Sequence, residues 1–404
     1  MTALEKFWPE TFRYAKRHSP FYREWFRGLK SVPTLHDLPT VDKKILSERT
    51  PEFLCVARNR IAEIVTTSGT AGKPLLWMLT KPDVERLAAN EKISFACAGI
   101  TPRDTVLVAV SLDRCFIAGL AYWQGLRDLG CTVVRVGASS SMLVLEMIER
   151  INPTAIVAVP SFLRVIAGKA RDIKFNLQQC PVIKTVCIGE PVRDVTFNLN
   201  SSGSEIEKNW GAKVYSTYGV TELANSLCEC AAGRGGHLHD EQLYLEVLDD
   251  AGRLLADGEV GEVVATTFGV EAMPLIRYRT GDCAALFTEK CRCGRKTPRI
   301  GPIIGRKHQK LKFKGTSVFP STLQVVLEEN QSVESFVIIA QTDNDLSDSI
   351  EVLFHGSASA AGLREMIQAR AKIAPRIRRA SAGEIEKLQM PPEARKRRTF
   401  VDLR

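Results

Sequence analysis

The sequence predicts an α/β fold in two domains. The larger, N-terminal domain has mainly parallel sheets flanked by helices plus a small antiparallel or barrel section; the C-terminal domain is a small α+β unit. Three observations carry this prediction. The chain has 404 residues, more than one hydrophobic core usually organises. Short runs rich in Val and Ile, at 61–65, 105–111, 131–137, 155–160, 182–188 and 213–217, alternate with helically spaced stretches at 118–128, 142–151 and 161–171. Uninterrupted apolar runs mark strands covered on both faces, and their alternation with helices marks parallel crossovers. After residue 240 the rhythm changes: 243–248, 260–267 and 283–287 read as strands with no helices between them.

The remaining elements follow in order. Residues 1–60 read as helical, with aromatics at Phe7, Trp8, Phe12, Phe21, Tyr22 and Phe26. A last block begins near Gly305, with strands at 334–340 and 349–354 and a helix at 361–372. This places the two domains at 1–305 and 306–404. No internal repeat or low-complexity linker interrupts them.

Composition excludes several classes. Hydrophobic residues make up 45% and charged residues 25% of the chain, which fits a globular protein. No run of eighteen uncharged apolar residues is present, so a membrane span is not expected. The N-terminus is not followed by an apolar signal core, and the expected compartment is the cytoplasm. The net charge of +9 is scattered, with few interleaved aromatics, so nucleic acid is not an expected partner; an anionic small substrate accounts for the charge as well. Eleven cysteines in such a compartment argue for thiols rather than disulfides.

Five local motifs carry chemistry. Thr66-Thr67-Ser68-Gly69-Thr70-Ala71-Gly72-Lys73-Pro74 follows an apolar run. Its glycines let backbone N–H groups face one point, while its hydroxyls and lysine add donors and charge, as phosphate binding requires. The spacing is not that of a Walker A loop. Tyr215-Ser216-Thr217-Tyr218-Gly219-Val220-Thr221-Glu222 ends a predicted strand, the place where parallel sheets bind ligands. Its Thr-Glu pair supplies hard oxygens suited to Mg²⁺. Arg277-Tyr278-Arg279-Thr280-Gly281-Asp282, read as lying between strands, offers an aspartate that could hold a ribose diol; taken by itself it reads first as an Asx-type turn. Ile188-Gly189-Glu190-Pro191 joins a strand to a loop. Gly305-Arg306 precedes a basic stretch.

In this order the motifs resemble the adenylate-forming superfamily of acyl-CoA synthetases, luciferases and peptide-synthetase adenylation domains. Ala15-Lys16-Arg17-His18-Ser19-Pro20-Phe21-Tyr22, Cys291-Arg292-Cys293-Gly294-Arg295 and Thr316-Ser317-Val318-Phe319-Pro320 are most similar to the phenylacetate–CoA ligase branch. The resemblance implies ATP, Mg²⁺ and CoA as cofactors and co-substrates. Thr67, Ser68, Gly69, Thr70, Gly72 and Lys73 would then cover the ATP phosphates. Gly189, Glu190 and Pro191 would line the adenine, with Tyr218 and Gly219 flanking the nucleotide. Thr221 would meet the α-phosphate, Glu222 the Mg²⁺, and Asp282 the ribose with Arg306 beside it. Lys396 would be the catalytic lysine, and the C-terminal domain a mobile lid hinged near 305–310. The chain departs from the family pattern at Ala71, where a hydroxyl is usual, at the basic hinge Lys307-His308-Gln309-Lys310, and at Arg395-Lys396-Arg397, which lacks the usual glycine.

Cys228, Cys230, Cys291 and Cys293, with His237 and His239 between them, group as a tetrahedral Zn²⁺ site would. Spacing alone leaves six candidates. The resemblance implies Cys230, His237, Cys291 and Cys293, with a structural zinc. An acyl pocket is expected from Phe116, Ala118, Gly119, Cys187, Ile188 and Tyr215, whose small and aromatic side chains leave room for a ring or chain. The resemblance favours an aryl or arylacetic acid.

The reading is therefore an acid–thiol ligase (AMP-forming). It activates a small carboxylic acid as an acyl-adenylate and passes it to CoA. Two alternatives stay open: delivery to a carrier protein or an amine, and a degenerate nucleotide-binding regulator. A homodimer is compatible with either.

Overall fold

A computed structural model describes residues 2–67, 74–313, 316–344, 347–391 and 398–404. Ser68, Gly69, Thr70, Ala71, Gly72, Lys73 and Lys396 lie outside the described residues. The chain divides into two compact units, Met1–Ile303 and Ile304–Arg404.

The first unit is built on a six-stranded sheet. Its order is Thr132–Arg135, Thr105–Ala109, Ala155–Ala158, Lys184–Ile188, Lys213–Val220 and Asn225–Cys228. All neighbours are parallel except the last pair. The central strand Ala155–Ala158 is buried at every position, which is why its sequence reads as an unbroken apolar run. Helices Ser141–Ile151, Pro160–Asp172 and Ser201–Trp210 cover one face through Val144, Ile148, Leu163, Ile166 and Trp210. Helices Lys81–Cys97 and Ile117–Leu129 cover the other through Phe95, Tyr122 and Leu126.

The segment at 61–65 differs from its expected role. Ile61–Thr66 pairs antiparallel with Leu76–Thr80 in a separate two-stranded hairpin. Its burial alternates along the strand, so it has one solvated face and no place in a sheet covered on both sides. The hairpin flanks the expected phosphate loop.

A second sheet is antiparallel, in the order Leu243–Leu248, Val260–Thr267, Tyr278–Phe287, Arg299–Ile300, Gly236–His237. Of the Arg277–Asp282 motif, all but Arg277 lies within the strand Tyr278–Phe287 rather than between strands. Thr280, Gly281 and Asp282 bulge opposite Val263, between the pairs Glu262–Cys283 and Val264–Arg279, and Gly281 takes a φ of +77° that favours glycine. The N-terminal helices pack here. Phe21 stacks on Phe53 with ring centroids 4.1 Å apart, and the Tyr22 hydroxyl accepts a bond from Ile276 N at 2.9 Å. Val41 joins Tyr278 in a parallel bridge.

The second unit is a four-stranded sheet, Arg376–Arg379, Ser347–Gly356, Val333–Asn344, Phe400–Asp402 in that order. Strand alternation divides its side chains between two faces. Phe336, Ile338 and Ala340 meet helices Pro320–Glu329 and Ala360–Ala371. Val337 and Ile339 meet Ile385 of helix Ala382–Gln389. Among the described residues no helix is long and apolar enough to cross a membrane.

Candidate functional site

The carboxyl ends of the parallel strands bring three of the motifs together. Lys213–Val220 runs directly into a 3₁₀ turn, Thr221–Leu223, which buries Glu222 to 6% exposure. Two hydroxyls converge on this corner. Tyr278 donates to Glu222 Oε1 at 3.3 Å, and Tyr218 donates to Asp282 Oδ2 at 3.1 Å. Burial and the neighbouring Asp282 carboxylate push the Tyr218 phenol well above its ordinary range. It therefore stays protonated and keeps donating. The nucleotide-flanking tyrosine and the ribose aspartate of the expectation thus form one bonded pair, and the magnesium-holding glutamate joins Tyr278 in a second, both reaching the strand Tyr278–Phe287.

Lys43 belongs to the same corner, and sequence reasoning missed it. The Val41–Tyr278 bridge carries the start of helix Lys43–Arg49 against the turn, and Lys43 Nζ lies 3.7 Å from Glu222 Oε1. No local motif marks Lys43; only pairing between segments more than two hundred residues apart brings it here.

Gly189 follows the strand Lys184–Ile188 with φ of +74°, the left-handed turn that glycine takes without strain. The turn delivers Glu190, whose carboxylate accepts from Ser161 N at 2.9 Å and Ser161 Oγ at 2.7 Å. Pro191 is held by Asn200 Nδ2, which donates to its carbonyl at 2.9 Å. Arg193, two residues on, grips buried Glu229 through two bonds of 2.6 and 2.7 Å. Thr67 N and Oγ1 both bond to Leu75 across the hairpin base, so the chain enters the expected phosphate loop from an anchored stem.

Arg277 takes a structural part. Its guanidinium pairs with buried Glu246 at 2.9 Å and donates to the carbonyls of His36 and Leu38. Arg306 forms the short strand Gly305–Arg306 at the start of the second unit.

The expected acyl-pocket residues gather on one face of the parallel sheet. Ile188 and Tyr215 belong to the apolar cluster with Phe95, Tyr122 and Cys228, and Phe116 and Ala118 pack against it. Gly119 permits close approach: a Cβ there would sit 2.1 Å from the Ser111 carbonyl oxygen. Cys187 turns to the opposite face, in the cluster with Trp210, as alternation along a strand requires.

A second constellation lies where the two sheets meet. The donor atoms of Cys230, His237, Cys291 and Cys293 all lie within 4.8 Å of one another. Cys230 and Cys291 sulfurs are 3.6 Å apart, and Cys293 Sγ is 3.5 Å from His237 Nε2. Burial, with Arg295 and Arg299 nearby, lowers the His237 imidazole to about 4, so it is neutral at pH 7. Burial raises the Cys293 thiol, but hydrogen bonds from Arg295 and the neighbouring thiols outweigh it and bring it to about 7. A neutral imidazole suits a metal ligand, while burial pushes the Cys230 thiol up to about 12, so a bound metal would have to displace its proton. Cys228 instead accepts from Thr217 Oγ1 in the apolar cluster, and His239 pairs with Asn90 at 2.6 Å.

Comparison with known proteins agrees with this arrangement. The AMP-binding enzyme family model matches residues 27–271. The phenylacetate-coenzyme A ligase of Thermus thermophilus is 30% identical over 352 residues, covering 83% of this chain and 77% of that protein. The Pseudomonas putida phenylacetate-coenzyme A ligase is 29% identical over 367 residues, covering 87% and 81%. Among solved structures, a 2-hydroxyisobutyryl-CoA ligase in its postadenylation state superposes with a TM-score of 0.85 at 21% identity, covering 100% of this chain and 89% of that one. The o-succinylbenzoate CoA synthetase of Bacillus subtilis superposes at 0.59 and 20% identity, covering 83% and 69%. With the family model covering more than half its length and the strand-end corner in place, the chain belongs to the AMP-binding, adenylate-forming enzymes, in their phenylacetate–CoA ligase branch.

Proposed function

We propose that this chain uses ATP to convert an aryl or arylacetic acid to its acyl-adenylate and then transfers the acyl group to CoA. The observation that carries the proposal is the strand-end corner, where Tyr218 pairs with Asp282 and Tyr278 with Glu222 beside the Gly189–Pro191 turn. Parallel sheets bind ligands at this position. Adenylation is an in-line attack of a carboxylate on the α-phosphate, so the protein's contribution is placement and charge neutralisation. Asp282 accepts from the ribose and Gly189–Pro191 lines the adenine. Glu222 holds Mg²⁺ against the phosphates, and Thr221 donates to the α-phosphate. Thr67 to Lys73 cover the β- and γ-phosphates. Lys396 reaches the attacking carboxylate. Phe116, Ala118, Gly119, Ile188 and Tyr215 enclose the acyl group. Residues 1–305 bind ATP and acid. Residues 306–404 act as a lid turning about 305–310, because Lys396 must leave before a thiol can attack.

Zn²⁺ fits the second constellation. A tetrahedral ion with sulfurs at about 2.3 Å sets neighbouring sulfurs about 3.8 Å apart, close to the 3.6 Å between Cys230 and Cys291. His237 Nδ1 bonds Thr297 Oγ1 at 3.2 Å, the outer support that leaves Nε2 for the metal. Four protein ligands leave no open position, so the ion would be structural.

Acid-dependent ATP–pyrophosphate exchange across aryl, arylacetic, fatty and amino acids tests the first half-reaction. Added CoA, followed by thioester detection, tests the second. Exchange with an aryl or arylacetic acid and a CoA thioester are expected. Absence of exchange with every acid would remove the adenylation reading. Exchange without a CoA thioester would redirect the acyl group to a carrier protein or amine.

A further inference from the structure

Arg86 bridges the parallel and antiparallel sheets of the first unit and lies outside the machinery described so far. It sits half-buried on helix Lys81–Cys97. Nη1 donates to the Ala224 carbonyl at 3.2 Å, and Nη2 donates to Asn225 Oδ1 at 2.8 Å. Nε donates to the Phe268 carbonyl at 2.8 Å, and Nη2 also reaches the Gln242 carbonyl at 2.7 Å. None of these acceptors is a carboxylate, so the cation holds backbone and amide oxygens rather than an ion-pair partner. Burial lowers its pKa to about 10, opposed by Asp83. It therefore stays charged at pH 7, and a charged donor makes the stronger bonds.

Ala224 closes the turn Thr221–Leu223 in the left-handed conformation, with φ of +46° and ψ of +47°. Its N–H donates to the Thr221 carbonyl at 3.1 Å. An alanine in that conformation is strained and persists only where its surroundings over-determine it. Arg86 supplies the restraint on the carbonyl side. The strand that follows, Asn225–Cys228, is the edge of its sheet, and the same helix holds that edge. Asn90 Oδ1 accepts from Ser226 N, and Ser94 Oγ donates to the Ser226 carbonyl, both at 2.7 Å.

The other two bonds fix what faces the turn. Gln242 precedes the strand Leu243–Leu248 and Phe268 follows Val260–Thr267, in the antiparallel sheet that carries Tyr278 and Asp282. Thr80 is both the last residue of the hairpin strand and the N-cap of the helix. The stem of the expected phosphate loop is thus continuous with the element that restrains the Glu222 turn.

We propose that Arg86 is a positioning residue for metal-assisted nucleotide binding: by pinning the left-handed cap at Ala224, it fixes the direction of the Glu222 carboxylate relative to the sheet bearing Tyr278 and Asp282. This rests on the reading in which Glu222 holds Mg²⁺ against ATP, and deepens it. Loss of the support behind a metal-holding group typically costs about 10–100-fold in metal affinity or activity.

Calorimetric titration with ATP, with and without Mg²⁺, tests the assignment. The parent protein should bind ATP more tightly with Mg²⁺. Arg86→Lys keeps the charge but not the planar fork. It should weaken binding in Mg²⁺ by about tenfold and leave metal-free binding nearly unchanged; Arg86→Met should lose more. In pyrophosphate exchange both variants should raise KM for ATP and leave KM for the acid alone. A purely structural role would lower Tm and the active fraction without moving these constants. Thermal unfolding checks that the variants fold. If Arg86→Met does not, Arg86→Lys decides, and failure of both to fold would assign Arg86 to folding alone and overturn the proposal. Equal weakening with and without Mg²⁺, or unchanged binding, would overturn it while leaving the nucleotide reading standing. A parent protein that binds ATP no better with Mg²⁺ would remove Glu222 as the metal holder, and the proposal with it.

Discussion

Arg193→Met tests the packing that holds the nucleotide corner. Arg193 Nε and Nη2 donate to the two oxygens of Glu229 at 2.6 and 2.7 Å, and Nη1 donates to the Phe197 carbonyl at 3.0 Å. Glu229 is fully buried, and its other bond comes from Ser216 N at 2.8 Å. Ser216 lies in the Tyr215–Glu222 motif, Arg193 follows Pro191, and Glu229 precedes Cys230, so the pair ties three parts of the site together. Methionine fills the volume but leaves a buried carboxylate with one donor. Breaking such a pair costs roughly 3–5 kcal/mol, or roughly 6–10 °C in Tm for a unit of this size. Double replacement, Arg193→Met with Glu229→Leu, should recover most of the loss, because the desolvation cost of both charges disappears.

The same perturbation has a pH signature. Burial raises the Glu229 pKa and Arg193 opposes that rise, so the variant's carboxyl titrates higher still. A group whose folded pKa exceeds its unfolded value stabilises the fold at low pH and loses that contribution as pH rises through the folded value. The gap between parent and variant should therefore narrow as pH is lowered through the variant's raised folded value. Thermal unfolding of both single variants and the double variant measures the coupling. A Tm within about 2 °C of the parent, with coupling below about 0.5 kcal/mol, would refute the reasoning, since independent sites add to within that amount.

Three further outcomes are expected. Lys396→Ala should slow pyrophosphate exchange by orders of magnitude while ATP binding, measured by calorimetry, stays near that of the parent; unchanged exchange would mean that another residue reaches the carboxylate. Protein purified without chelator should carry about one zinc per chain, and Cys291→Ser should release it and lower Tm; zinc-free parent protein would remove the site. His308→Pro, which restricts φ and removes an N–H, should spare one half-reaction much more than the other. Equal loss of adenylation and thioester formation in a folded variant would place the pivot elsewhere.

The parallel strands were legible because covered strands read as apolar runs: 155–160 and 182–188 contain Ala155–Ala158 and Lys184–Ile188. Helix Lys81–Cys97 was not singled out. Asp83, Asn90, Glu91 and Ser94 all lie buried on it, and polar residues inside the protein interrupt the apolar spacing that marks a helix. The hairpin of Ile61–Thr66 and Leu76–Thr80 resembled a core strand in composition but not in burial. The Arg277–Asp282 motif looked like a turn because Thr280, Gly281 and Asp282 favour turns; a bulge opposite Val263 keeps them within the strand.

By itself the sequence determined the motif order, and with it the family and the class of chemistry, because each motif is local: a glycine-rich turn or a Thr-Glu pair works through residues adjacent in the chain. The tertiary structure decided which distant groups meet. Spacing alone left six possible metal donors. Cys228 and Cys230 would share a face if the strand continued, but Asn225–Cys228 ends at Cys228. The chain turns after Cys230, whose carbonyl accepts from Gly233 N at 2.9 Å, which leaves Cys228 in the apolar cluster and brings Cys230 to Cys291. Lys43 beside Glu222 was likewise set by pairing across the whole first unit. Such contacts depend on strand register and helix approach, which no short stretch of sequence encodes.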